Sequence, residues 1–365
     1  MLNTPLLSYQ GFLSKTLELI NNERFPHAVM LNSTDGLPSV YLAECLSQAL
    51  LCTEVNKPCG ECNSCRLAEK RSHPDLLYTF PFISAGKTGS AENYLSEWKE
   101  FLSENPVFLY EDWNVFLDSG NKQLGIYTGE SQRISHFQSM KPYLSKKKVI
   151  VLYLSELMHN STSNKLLKTI EEPLPNTHII LITNHHDSNL RTISSRCQTI
   201  KVPNSSPEHF LNDIERNNMS VDTEIVNIAN NNLGLFAHLS KNKIDMIKFG
   251  NDFLSWLRHC FNNDVKSMYK DCEDFANTSR DRLILLLESF LKLFRDAFVN
   301  VDNMIPGTQL TSMRKLAPFV NDFNAESIYT TIQKATTHLH RNANAKLVLF
   351  DASLTLHRLL LATPS

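Results

Sequence analysis

Nothing in this 365-residue sequence approaches the roughly 18 to 20 uninterrupted apolar residues that a membrane-spanning helix requires. The richest run, Leu283 to Phe298, is broken by Glu288, Lys292, Arg295 and Asp296. The start of the chain, Met1 to Gln10, lacks the basic opening and apolar stretch of a secretory signal. Strong net charge is missing too: the formal value is −2, which removes any whole-molecule electrostatic case for a dedicated nucleic-acid or membrane binder. Contact with DNA would have to come from a local patch or through partners. No internal repeat or low-complexity tract is present. These absences, with 42% hydrophobic and 20% charged residues, lead to the expectation of a cytoplasmic globular protein with two or three domains.

What is there is an alternation of strand-like and helix-like segments over the first 200 or so residues. Ala28 to Leu31, Lys148 to Leu154, His178 to Thr183 and Thr199 to Val202 are short apolar runs of the kind that parallel strands show when helices cover both faces. Ser161 to Glu172 reads as a helix with Leu166, Leu167 and Ile170 inward and a stop at Pro173. The pattern is that of an α/β layer fold. Residues 79 to 135 interrupt it with a polar, aromatic-rich insertion carrying Trp98, Trp113 and Asn121-Lys122-Gln123. After Pro203, Ser205 and Pro207 mark a break and the remainder reads as helical. Asp281 to Asn300 is a long amphipathic helix, and Ala345 to Leu361 another, with Leu347, Phe350, Leu354 and Leu361 along one face.

Eight cysteines occur, and Cys52, Cys59, Cys62 and Cys65 form the pattern C-x6-C-x2-C-x2-C. Two C-x2-C steps allow the chain to wrap one zinc ion tetrahedrally, with Pro58 and Gly60 supplying the turn. Four thiolates close the coordination sphere, so such a site is structural and contributes on the order of 10 kcal/mol to local folding. The ordinary alternative is a set of buried reduced thiols. Cys45, Cys197, Cys260 and Cys272 are isolated and read as core residues. His185-His186 reads as loop rather than as a metal pair, and Lys146-Lys147-Lys148 as a solvated entry to a strand.

Between the first strand and the helix that begins near Tyr41 lies Asn32 to Val40, the place where a strand–loop–helix phosphate cradle would sit. Against G-x-x-x-x-G-K-[ST], Ser33 and Pro38 stand where the defining glycines belong, Ser39 replaces the lysine and Val40 the hydroxyl residue; only Gly36 is glycine. Proline also removes an N–H from the anion nest. The second acidic motif of such sites is absent as well, because Val149 to Leu152 runs into Tyr153-Leu154-Ser155-Glu156 with no Asp-Glu pair to hold Mg²⁺. Glu156 reads as a solvated acid at a helix start. Loop length survives while the chemistry does not.

Several further segments, in order along the chain, resemble the delta-prime family of bacterial DNA polymerase III clamp-loader subunits, which belong to the AAA+ superfamily. They are Phe25-Pro26-His27-Ala28, the four cysteines, His73-Pro74-Asp75-Leu76, Asn164 to Pro173, Ser195-Arg196-Cys197, and Arg341-Asn342-Ala343-Asn344-Ala345. The insertion is similar to that of Bacteroidetes-type versions. The resemblance implies an AAA+ P-loop-NTPase-like parallel sheet with a zinc-binding insertion over residues 1–203, the knob at about 52–75 and the family-specific insertion at about 79–135. It further implies a small helical lid over 204–245 and an all-helical C-terminal collar over 246–365. It assigns Arg196, flanked by Ser195 and Cys197, as an arginine finger acting on the ATP of a neighbouring motor subunit. Thr183 stands where active relatives sense the γ-phosphate, and is expected here only to pack.

The expectation is therefore a stator: a clamp-loader subunit with no intrinsic catalysis and no ATP of its own. It would hold structural Zn²⁺ and work with motor (tau/gamma-type) and delta subunits, the sliding clamp and primed DNA. Two alternatives stay open at this stage, an ATP-hydrolysing motor subunit of the same loader and a zinc-containing DNA-binding protein.

Overall fold

Val149, Ile150, Val151, Ile180, Leu181 and Ile182 have at most 1% of their surface exposed, because their strands lie inside a parallel sheet with helices packed against it. The computed structural model describes residues 6–84, 89–119, 122–184, 191–299, 320 and 324–361. It divides into two compact units, Met1–Val221 with Ala229–His238, and Asp222–Ile228 with Leu239–Ser365.

In the first unit the order is α1 (Gln10–Asn21), β1 (Ala28–Asn32), α2 (Ser39–Leu51), α3 (Asn63–Glu69), β2 (Leu76–Thr79), α4 (Leu95–Glu104), α5 (Tyr110–Phe116), α6 (Thr128–Ser139), β3 (Lys148–Leu152), α7 (Asn160–Glu171), β4 (Thr177–Thr183), α8 (Arg191–Ser194), β5 (Gln198–Lys201) and α9 (Pro207–Arg216). The strands form one five-stranded parallel sheet in the order β2-β3-β4-β1-β5. Ala28 pairs with Ile179, Val29 with Gln198 and Leu76 with Val149. On one face Met30, Ile150, Leu152, Ile179 and Leu181 join Leu166 and Ile170 of α7 and Ile193 of α8 in a single core cluster. A parallel sheet with flanking helices and a cysteine cluster is consistent with an AAA+-like fold carrying a metal-binding insertion.

Sequence reading did not pick out β2, Leu76–Thr79, as a strand. Its place is set by the motif before it. The Asp75 carboxylate is buried and accepts three backbone N–H groups, from Tyr143 (2.6 Å), Leu144 (2.8 Å) and Ser145 (2.8 Å), which locks the entry of β3 against the entry of β2. His73, also buried, makes a 2.6 Å contact through Nε2 with the Ser64 hydroxyl of α3. β5 departs from the expectation of a strand covered on both faces: it lies at the sheet edge and is mostly exposed.

The insertion proves to be a second aromatic core rather than a polar excursion. Trp98 stacks on Phe80 at 4.5 Å, Trp113 meets Trp98 edge-on at 4.9 Å, and the Trp113 indole N–H donates to the Pro81 carbonyl at 2.8 Å. Glu130, fully buried, accepts from the Thr79 and Ser90 hydroxyls, the Ala91 N–H and Arg133. Lys122 and Gln123 are exposed, whereas Asn121 lies outside the described residues. The basic run before β3 is corrected in one member: Lys148 is buried, with its ammonium donating to the Phe137 carbonyl and lying 4.4 Å from the Phe137 ring centroid. Burial lowers its pKa.

After α9 come α10 (Thr223–Ala229), which but for Ala229 lies in the second unit, and α11 (Leu233–Lys241), which through His238 lies in the first; the second unit then holds α12 (Lys243–Phe261), α13 (Val265–Ala276), α14 (Arg280–Val299), α15 (Ala325–His340) and α16 (Ala345–Leu360). Phe253, Trp256, Phe275 and Phe290 form its centre, and the Trp256 indole N–H donates to the Ser353 hydroxyl at 2.8 Å. The Asn-rich turn before α16 has two jobs: Asn344 caps the helix by accepting from the Leu347 N–H at 3.1 Å, and Asn342 and the Ala343 carbonyl accept from Arg280. In α16 the residues facing the core are Leu349, Ala352, Ser353, Leu356 and Leu360. The face chosen from the sequence is instead the outer one, with Leu347, Leu354 and Leu361 exposed. The small Ala352 and Ser353 hide the true inner face from a count of large apolar residues. Among the described residues no helix is long and apolar enough to cross a membrane.

Asp75→Ala should destabilise the first unit by about 3 kcal/mol or more, since three buried N–H groups lose a charged acceptor. Urea unfolding followed by circular dichroism would measure it, and a loss below about 1 kcal/mol would contradict the anchoring role.

Candidate functional site

In an open parallel sheet, ligands bind beyond the carboxyl ends of the strands. Here β1, β3 and β4 end together, and the Ser33 N–H donates to the Thr183 carbonyl at 2.8 Å to close the seam. Thr183 is fully buried, as a packing role requires. The loop from Ser33 to Pro38 then leads into α2, which starts at Ser39 and carries no side-chain cap. Ser39 and Val40 are buried.

The loop is held closed by the chain itself. The Asp35 carboxylate accepts from the Gly36 N–H at 3.1 Å, from the Tyr110 N–H at 3.1 and 3.2 Å, and from the Asn184 side-chain amide at 3.2 Å. An acid thus takes backbone donors that a phosphate loop would offer to phosphate. Burial pushes its pKa up to about 7, further raised by Asp112 and Glu156 and opposed by the Tyr110 and Gly36 N–H groups.

From the other side comes the first turn of α11. Asn232 caps that helix by accepting from the Leu235 N–H at 2.9 Å, and its amide donates to the Asp35 carbonyl at 2.6 Å. The Gly234 N–H donates to the Gly36 carbonyl at 2.9 Å. A Cβ on Gly234 would stand 2.6 Å from both the Cα and the carbonyl oxygen of Gly36, so the two backbones touch with no room for a side chain. Gly36 itself has φ +84°, and a Cβ there would run into Asn232 and Leu109. His238 adds a second tie, its Nδ1 lying 2.6 Å from Asp112 Oδ1, while Asp112 Oδ2 accepts from the Leu109 N–H. What space remains, lined in part by Asp35, Gly36, Pro38, Phe108 and Tyr153, amounts to about 10 Å³. That is room for one water at most.

Where the magnesium-binding acids would stand, Tyr153 and Leu154 are buried, and Tyr153 lies 5.5 Å from the Trp98 ring and 5.6 Å from Phe108. Glu156 is not the solvated helix-start acid expected from the sequence. It is partly buried in a short 3-10 turn and accepts the Asn184 N–H at 2.8 Å, tying β4 to the segment after β3.

The four clustered cysteines converge. Cys52 ends α2, Cys62 caps α3 and Cys65 lies within it, and all four sulfurs fall within 4.8 Å of one another. The Cys52–Cys62 and Cys59–Cys65 separations are 4.0 and 3.9 Å. A tetrahedral ion with metal–sulfur bonds of about 2.3 Å needs sulfur–sulfur edges of about 3.8 Å, close to these two separations, so the set suits a four-thiolate metal site. The Cys62 N–H lies 3.3 Å from Cys59 Sγ, and the Cys65 N–H 3.4 Å from Cys62 Sγ. At Cys62 burial works against the thiolate, but hydrogen bonds with the Thr53 and Cys65 backbone and the Thr53 side chain outweigh it and bring the pKa to about 6. Of the isolated cysteines, Cys260 and Cys272 are buried and Cys45 and Cys197 partly so.

Arg196 sits in the turn between α8 and β5, far along the chain from the closed loop. Its Nε donates to Glu171 Oε2 and its Nη1 to the Thr192 carbonyl, both at 2.8 Å, with its side chain 32% exposed. Ser195 is exposed. His185-His186 lies outside the described residues. Sequence reading missed Asp35, Tyr110, Asn184, Asn232 and Gly234. An aspartate inside a would-be phosphate loop was the one local signal available, because its carboxyl competes for the backbone N–H groups that would hold a phosphate.

Purified protein should carry about one equivalent of metal, and Cys65→Ser should fall below about half an equivalent by elemental analysis. The raised pKa of Asp35 has a defined sign. The folded chain keeps its proton up to about 7, whereas an unfolded aspartate loses it near 3.8. The resulting stabilisation is complete below about pH 4 and lost as pH rises through about 7. Asp35→Asn should flatten the pH dependence of the urea midpoint across this window; an unaltered slope would contradict the shift.

Comparison with known proteins matches residues 10–206 to the family described as DNA polymerase III, delta subunit, just over half of the chain. Three similar relatives are proteins named DNA polymerase III subunit delta-prime. That of Haemophilus influenzae is 28% identical over 181 residues, 49% of this chain and 43% of that protein. That of Bacillus subtilis is 25% identical over 190 residues (52% and 46%), and that of Escherichia coli 26% over 174 (47% and 41%). The chain thus matches less than half the length of these relatives. A solved gamma subunit-related protein of Thermotoga maritima, 15% identical and covering 94% of this chain and 98% of that one, superposes with a TM-score of only 0.37. The family match takes in the closed loop, the cysteine cluster and the Arg196 turn together, and the chain belongs to the DNA polymerase III delta-prime family of clamp-loader subunits.

Proposed function

We propose that this chain is the non-motor stator of a replicative clamp loader. It neither binds nor hydrolyses ATP, and it presents Arg196 to the nucleotide of a neighbouring motor subunit. The observation that carries this reading is the closed loop: Asp35, Asn232 and Gly234 engage the backbone that a nucleotide would need. Loss of the lysine charge and of the metal-binding acids points the same way. A subunit with no nucleotide of its own can still act on one bound elsewhere, since a guanidinium stabilises charge developing on a transferring phosphoryl group.

The residues in this scheme fall into three regions: an AAA+-like module over 1–203, a helical lid over 204–245 and a helical collar over 246–365 through which the subunits join. Cys52, Cys59, Cys62 and Cys65 would hold Zn²⁺, whose four-thiolate shell leaves no open position and so supplies folding rather than catalysis. The partners are motor and delta-type subunits, the sliding clamp and, through the assembly, primed DNA in the cytoplasm.

Arg196→Ala should leave assembly with motor subunits intact and lower clamp- and DNA-stimulated ATP hydrolysis, by up to about 10³-fold at the site the finger serves. Unchanged hydrolysis would remove the finger assignment. Isothermal titration of the isolated chain with Mg-ATP should give no binding at micromolar concentrations, and a micromolar Kd would favour a motor subunit instead.

A further inference from the structure

The turn that carries Arg196 is fixed at its base. Ile193 is fully buried in the same cluster as Leu166 and Ile170 of α7, and Cys197 packs against that cluster. The Arg196 N–H donates to the Ile193 carbonyl at 2.9 Å. Packing of Ile170 against this core brings the next residue, Glu171, within reach of the guanidinium.

Two of the three guanidinium nitrogens are then held. Nε donates to Glu171 Oε2 at 2.8 Å, and Nη1 donates to the Thr192 carbonyl at 2.8 Å with Ser195 Oγ at 3.5 Å. Nη2 makes no hydrogen bond among the described residues. Arginine has five N–H donors in a rigid plane, so fixing Nε and Nη1 fixes the direction in which Nη2 presents its pair.

Glu171 is an odd residue to find there on structural grounds alone. It is the last residue of α7, followed by Glu172, and both acids lie at the negative end of the helix dipole, where a cation is favoured. Its side chain is 55% exposed, and an exposed ion pair contributes little to stability. The fold therefore gains little from Glu171, while the arginine gains a defined orientation.

We infer that Glu171 is a positioning residue for Arg196: it holds Nε so that the Nη2 end is set for a phosphate oxygen of a nucleotide bound by the adjoining subunit. The inference rests on the reading of Arg196 as a finger. Without Glu171 the side chain keeps one backbone tether and regains rotamer freedom that must be lost again at each turnover.

The test uses the reconstituted loader with clamp and primed DNA, measuring kcat and KM for ATP. Arg196→Ala is the first arm, and no fall in kcat there would dispose of the finger itself. Given that fall, Glu171→Ala should lower kcat by about two- to five-fold, the worth of one exposed pair, with KM for ATP, assembly and the thermal midpoint unchanged. Glu171→Gln, whose amide oxygen still accepts from Nε, should recover most of the loss. The double variant should be no slower than Arg196→Ala alone. Wild-type or raised kcat in Glu171→Ala, or equal loss in the Ala and Gln variants, would overturn the positioning role while leaving the finger standing.

Discussion

The carboxylate of Asp35 is the constraint on which the closed site depends. It gathers N–H donors from the loop itself, from the start of α5 and from the end of β4, three segments separated by up to about 150 residues in sequence. Without that acceptor the Gly36 and Tyr110 N–H groups would face each other across a gap with nothing to bond, the very arrangement that attracts an anion. The fold of this region is that of an anion site whose acceptor is covalently part of the chain. Once the loop is drawn shut, Asn232 can cap α11 and reach the Asp35 carbonyl at the same time.

A second organisation, independent of the loop, holds the turn between α8 and β5. Leu166, Ile170 and Ile193 belong to the main core cluster, which anchors α7 and α8 on the sheet. Arg196 emerges from that fixed base with part of its side chain in solvent. The module thus combines a closed loop with a partly exposed arginine held by Glu171 and the Thr192 carbonyl. The cysteine cluster stands apart from both, stitching α2 to α3 and, through Ser64 and His73, to the entry of β2.

What could be read from the sequence was governed by the range of the signal. Val149 to Leu152 and Ile179 to Ile182 announce themselves as central strands because continuous apolar residues have few other uses. The cysteine site was legible because its ligand spacing is local and its geometry strict. The failures share a different cause. Lys148 looks solvated until the Phe137 ring and carbonyl are placed above it, and both come from α6, eleven residues away. The inner face of α16 is built from Ala352 and Ser353, whose small side chains register weakly in any pattern of hydrophobicity. The loop sequence told that phosphate-binding chemistry was missing, but not that Asn232 and Gly234, some two hundred residues on, had taken the space.

That occupation gives the loss a direction. Changing Ser33 and Pro38 to glycine, Ser39 to lysine and Val40 to threonine would restore the letters of a phosphate loop and leave the contacts that close it in place. Gly36 and Gly234 would still be in backbone contact, and the Asp35 carboxyl would still hold the Gly36 and Tyr110 N–H groups. Opening this region would take coordinated change in the loop and in the first turn of α11, two segments some two hundred residues apart in sequence.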